Sequence, residues 1–110
     1  MTLQSIEQIL NAGREAAYTK MTLDRNSLKP DMRIYSIPDL HNFMKHEIEE
    51  LEQEIREMVI LKKSSEDLLI RIRNEAGDVI AFASGLVAKC DQEISKIHEG
   101  SMPSLFDDFQ

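Results

Sequence analysis

Apolar residues recur at helical spacing in three stretches of this chain, and the breaks between them fall where polar, turn-forming residues collect. In the first stretch Leu3, Ile6, Ile9, Leu10, Gly13, Ala16 and Ala17 keep to one side, the stripe of an amphipathic helix over residues 2 to about 20. Its small members, Gly13, Ala16 and Ala17, admit a second helix at close range, at a propensity cost of about 1 kcal/mol for the glycine. The periodicity stops from Thr22 to Ile37, where Asp24, Asn26, Ser27, Pro30 and Asp31 predict a loop. Lys29, Arg33 and Tyr35 on that loop are candidates to touch a ligand, against the simpler reading of a solvated connection. A second stripe, Ile48, Leu51, Ile55, Met58 and Leu61, follows Ser36-Ile37-Pro38-Asp39, which has serine, proline and aspartate near where a helix start uses them.

The third stripe runs through Leu68, Leu69, Ile72, Val79, Ile80, Ala83, Leu86 and Val87. Cys90-Asp91 predicts an interruption there, with Asp91 capping a short further helix that ends before Gly100; residues 101–110 predict a mobile tail. Between the second and third stripes lies one polar, cap-rich break, Lys62-Lys63-Ser64-Ser65, in which Ser64 with Asp67 three later has the form of a helix start. The expected architecture is all-α: an N-terminal helix and an antiparallel helical hairpin forming a single domain over residues 1–100. A chain of 110 residues buries a limited fraction of its surface, so oligomerisation is expected to complete the bundle. The six methionines read as core filler.

Two pairs of acids stand out against this pattern. Glu75 and Asp78 lie in Asn74-Glu75-Ala76-Gly77-Asp78-Val79-Ile80-Ala81-Phe82-Ala83, a run of small and apolar residues where a charge is costly unless something pairs it. Three residues apart, they project from the same helix face. Glu47 and Glu50, again three apart, flank the second stripe. In an antiparallel hairpin, residues equidistant from the turn face each other. One pair is centred between residues 48 and 49 and the other between 76 and 77, which puts the midpoint between 62 and 63, inside the polar break. With a rise of about 1.5 Å per residue and axes roughly 8 to 10 Å apart, the four carboxylates converge at one height, within reach of one or two cations. Mg²⁺ is the natural occupant, since hard cations take carboxylate oxygens and often hold substrate phosphates as well. The neighbouring Glu49, Glu52, Glu54 and Glu57 read as a solvated face. For Arg71, Arg73 and Lys89, phosphate contact and plain solvation both stay open; Cys90 and His98 read as structural.

Charge and cysteine usage narrow the partners. A formal net charge of -7 argues against a broad nucleic-acid surface, which needs clustered Lys and Arg. A lone Cys90 leaves no internal disulfide, in keeping with a cytoplasmic protein. Met1-Thr2-Leu3-Gln4-Ser5 does not resemble a signal peptide, and the longest mainly apolar run, residues 79–88, falls far short of the ~20 residues of a membrane helix.

The pattern His46-Glu47-x-x-Glu50, then Glu75-x-x-Asp78 after 24 intervening residues, resembles the Glu-Glu-x-x-Glu … Glu-x-x-Asp signature of the MazG-like, all-α nucleoside triphosphate pyrophosphatases. Dimeric dUTPases and phosphoribosyl-ATP pyrophosphohydrolases belong to the same superfamily. The resemblance covers roughly residues 37–95 and extends to Glu50-Leu51 and Gly77-Asp78-Val79. It implies hydrolysis of a nucleoside triphosphate between the α and β phosphates, giving a monophosphate and pyrophosphate. Glu47, Glu50, Glu75 and Asp78 would bind Mg²⁺, or Mn²⁺, and carry the catalysis in a homodimer or homotetramer, a carboxylate beside the metal serving as general base. His46 stands where the family usually has its first glutamate; it is a candidate to order a water or contact phosphate, with a plain surface histidine the equal alternative, and Lys89 and Arg71 are the further candidates for substrate contact. Gly85 falls where many relatives carry an asparagine, so the usual nucleotide contacts do not transfer.

The alternative is a helical interaction module whose acidic face docks a basic partner without catalysis. A smaller variant lies in the tail, where Met102-Pro103-Ser104-Leu105-Phe106 is similar to the Leu-Phe end of sliding-clamp-binding peptides but lacks their leading glutamine.

Overall fold

Three α-helices and one 3₁₀ turn make up the described residues of the computed structural model, which are 3–22, 31–62 and 65–100. Helix α1 is Leu3–Thr22, the 3₁₀ turn Met32–Ile34, α2 Ile37–Leu61 and α3 Glu66–His98. The all-helical expectation holds, and no helix among the described residues is long and apolar enough to cross a membrane. Lys29 and the clamp-like tail segment lie outside the described residues.

Helix α2 begins as its sequence dictates. The Ser36 hydroxyl accepts from the Asp39 N–H at 3.1 Å, Pro38 occupies the first turn, where it loses no hydrogen bond, and Asp39 complements the helix dipole. It ends at Lys62, which adopts the left-handed conformation at φ 53°. The start of α3 falls one residue later than expected: Ser65, not Ser64, is the cap, its hydroxyl accepting from the Leu68 N–H at 3.2 Å. The expected break at Cys90-Asp91 is absent. Helix α3 runs through it to His98, because an interior aspartate costs only a few tenths of a kcal/mol while Glu93 beyond it is buried and paired. Gly100, at φ 83°, then takes the left-handed position that stops the helix, its N–H donating to the Ile97 carbonyl.

The hairpin has the register expected from the turn. Phe43 faces Phe82, Glu47 faces Asp78, Glu50 faces Glu75 and Glu54 faces Arg71, and each pair is centred on the gap between residues 62 and 63. Helix α1 crosses α3 where Ala16 meets Gly77. A Cβ on Gly77 would lie 2.8 Å from the Ala16 Cβ and 2.9 Å from its backbone carbonyl group, so only glycine allows this approach.

One segment read as loop contributes to the core. Asp31 caps the 3₁₀ turn by accepting from the Arg33 N–H at 2.9 Å, and Met32 is buried with Ala17, Leu40, Ala81 and Phe82. Tyr35 and Phe43 meet edge to face at 5.2 Å, and Phe43 lies 5.7 Å from Phe82. This aromatic stack sits one helical turn from Glu47 and Asp78. It locks the spacing of α2 and α3 next to the acids. In contrast, Leu3, Ile6, Ile9 and Leu10 on α1, and Val59, Ile60, Leu61, Leu69 and Ile70 around the hairpin tip, are exposed.

Candidate metal centre

Glu47 and Glu50 on α2 and Glu75 and Asp78 on α3 each offer one carboxylate oxygen to a common point, all within 4.8 Å of one another. The hairpin register, the Phe43–Phe82 contact and the i, i+3 spacing on each helix together produce this convergence. All four side chains are half-buried. Glu50 is central, in contact with the carboxyls of both Glu47 and Glu75.

The electrostatics follow from crowding. Burial, and then the contact with Glu50, push the carboxyls of Glu47 and Glu75 up to about 7. Asp78 is also raised, mainly by burial and by Glu50, while Lys20 pulls it back. Oε2 of Glu47 and Oε2 of Glu75 are enclosed, and no hydrogen-bond donor reaches either. Their close neighbours are other carboxyls, which can donate only when protonated. Glu54 Oε2, outside the quartet, is enclosed without a donor as well, so it is the convergence of four acids together with two such oxygens that fits a divalent cation, which takes ligands of this kind. The residues present therefore suit the Mg²⁺ or Mn²⁺ that the sequence pattern implies.

A fifth participant comes from α1. Lys20 Nζ lies 3.6 Å from Asp78 Oδ2, and both side chains are about one-fifth exposed, 19% and 18%. The sequence holds a signal for it: Lys20 follows Gly13, Ala16 and Ala17 on the same stripe, three residues past Ala17, so the face that packs on α3 must deliver its side chain to that helix.

The other expected contacts are placed elsewhere. His46 Nε2 lies 3.2 Å from Glu50 Oε1 on the outer, exposed side of α2, touching the quartet from without. Arg71 is one turn before Glu75 and bridges Glu54 at 3.6 Å and Glu57 at 3.4 Å. Glu54 thus departs from the solvated face expected for it, with only 22% of its side chain exposed. Lys89 is buried three turns beyond Asp78, with Nζ 3.2 Å from Glu93 Oε1 and donating to the Arg33 carbonyl at 3.2 Å. Arg33 forks onto Asp31, with Nε and Nη2 each donating at 2.9 Å. At Gly85 a Cβ would meet Met32 Sδ at 2.8 Å and Met32 Cβ at 2.9 Å. The space beside Gly85 is thus filled by Met32 of the 3₁₀ turn.

Comparison with family models, with curated proteins and with known solved structures finds no match to this chain.

Proposed function

We propose that this chain is a divalent-metal-dependent nucleoside triphosphate pyrophosphohydrolase that cleaves between the α and β phosphates, giving a monophosphate and pyrophosphate. The observation that carries the reading is the convergence of Glu47, Glu50, Glu75 and Asp78 within 4.8 Å, with two of their oxygens enclosed and undonated. Opposite that stands the bare likeness of an acidic motif, which points to the α–β cleavage.

In this reading Glu47, Glu50, Glu75 and Asp78 would hold Mg²⁺ or Mn²⁺, which would neutralise phosphate charge and activate water. Phosphoryl displacements depend mostly on positioning and charge neutralisation, and the chain's own residues supply both. Glu50 ties the two helices' acids together, and the Tyr35–Phe43–Phe82 stack keeps the helices at fixed spacing. A carboxylate beside the metal would accept the proton of the attacking water. Water adds to the α phosphorus, and pyrophosphate leaves with the bridging oxygen.

A homo-oligomer belongs to the same proposal. Leu3 at 73% exposure and Leu10 at 63% continue the stripe of α1 past the stretch that α3 covers, and a second copy would remove that apolar surface from water. The function is tested with a panel of natural and modified nucleoside triphosphates in Mg²⁺, scored separately for pyrophosphate and for phosphate. Pyrophosphate from at least one member is expected. Neither product from any member leaves the acidic interaction module in its place.

A further inference from the structure

Lys20 is an unusual neighbour for a cation site, because an ammonium and a metal ion compete for the same carboxylate. We propose that Lys20 is the resident counter-ion of the quartet, holding Asp78 in the metal-free chain and turning to the anionic oxygens of the triphosphate once a divalent cation takes Asp78. The assignment rests on the pyrophosphohydrolase reading and gives it a phosphate-contacting residue that neither acid-bearing helix supplies.

Three observations carry it. Lys20 Nζ is 3.6 Å from Asp78 Oδ2, an ion pair longer than a strong hydrogen bond, so attraction between the charges carries most of the contact. Position is firm, however. The Ala16–Gly77 approach, in which a Cβ would be only 2.8 Å from Ala16, fixes the backbone of α1 one turn before Lys20. The third observation is the charge balance. With a single divalent ion bound, four ionised acids against one ammonium and that ion leave the site negative, which repels a polyphosphate unless a cation can leave the acids and meet it. Among the described residues, the basic side chains in ion pairs with the quartet are Lys20 and His46. His46 is 69% exposed on the far side of Glu50, while Lys20 is 19% exposed beside Asp78. A lysine suits the exchange, since its charge is a point at the end of a flexible four-carbon stem and ammonium groups bind phosphate well.

The test uses the full chain, its Lys20→Gln variant and its Lys20→Arg variant. Calorimetric titration with Mg²⁺ alone measures metal affinity, and a non-hydrolysable α,β-imido triphosphate in saturating Mg²⁺ measures phosphate recognition. Lys20→Gln is expected to bind Mg²⁺ roughly two- to fivefold more tightly, the range of a partly screened ion pair, and to bind the analogue several-fold more weakly. Lys20→Arg, which keeps the charge, is expected to stay near the parent in the second measurement. A merely structural lysine predicts the opposite pattern, with Mg²⁺ affinity unchanged or weakened and the analogue unaffected; either result overturns the assignment. If the parent takes up Mg²⁺ and Lys20→Gln does not differ, the Lys20 assignment alone falls. No Mg²⁺ uptake by the parent overturns it together with the metal-site reading.

Discussion

Helix α3 carries charge into shielded surroundings twice, and the two places balance it differently. Near its C-terminal end Glu93 is 2% exposed and Lys89 is 4% exposed, yet every charge there is answered. Glu93 Oε1 lies 3.2 Å from both Lys89 Nζ and Lys96 Nζ, and Lys89 also donates to the Arg33 carbonyl. Several turns earlier, Glu75 and Asp78 meet two more acids, with Lys20 as a partial answer and two oxygens left without donors. The first arrangement ties the 3₁₀ segment to α3. The second is at rest only with protons or a cation added, which is the ground for proposing it as a site rather than a strut. Buried charge by itself does not separate structure from function; the sign of its neighbours does.

The largest test of that contrast is Asp78→Asn. It removes a ligand and relieves repulsion at once, so turnover is expected to fall by on the order of a hundredfold or more while metal-free stability stays the same or rises. Steady-state rates and chemical denaturation measure the two sides. An active or clearly destabilised variant would put Asp78 on the structural side of the comparison.

Glu93→Ala is expected to do the reverse. It strands Lys89 with one carbonyl acceptor, which should cost about 3 kcal/mol of folding stability, with Mg²⁺ affinity per folded molecule unchanged. Urea unfolding and a metal titration together decide it.

Gly77→Ala comes next. Its methyl would press on the Ala16 backbone at 2.9 Å, costing about 1 to 2 kcal/mol by thermal or urea unfolding even after the helix-propensity gain, and moving Lys20 relative to Asp78.

The smallest effect is a pH trend. Glu47 and Glu75 titrate at about 7 in the folded metal-free chain and near 4.5 unfolded, so the unfolded chain gives up their protons first. Their contribution is complete below about pH 4.5 and is lost as pH rises through about 7. Both are partly exposed, so solvent screening reduces the effect. Metal-free melting temperature is expected to fall by on the order of a few degrees across that interval, and saturating Mg²⁺ should flatten the fall. A rise over the same interval would contradict the crowding of acids.

Much of this was legible in the sequence because it depends on spacing. The three stripes locate the helices, and two acid pairs with equal separation from Lys62-Lys63-Ser64-Ser65 determine which residues face each other. What depends on a partner far away in sequence was harder to see. Met32 reads as loop because it is buried against residues distant in sequence, Gly85 and Phe82 among them, and Asp91 reads as a cap because the pairing of Lys89 with Glu93 and Arg33 is invisible to local propensity. Glu54 reads as a solvated acid for the same reason, since Arg71 reaches it from the other helix. Lys20 continues a stripe that reads as packing surface, and only the crossing at Gly77 shows that the stripe ends at the acids.

The central claim, that the quartet grips a divalent cation, is tested most directly by electron paramagnetic resonance of Mn²⁺ titrated into the metal-free chain. Loss of the free-ion signal, saturating at one or two ions per chain, displaced by Mg²⁺ and absent in Glu50→Gln with Glu75→Gln, is the predicted result. A free-ion signal that grows in step with added Mn²⁺ from the first aliquot would contradict it.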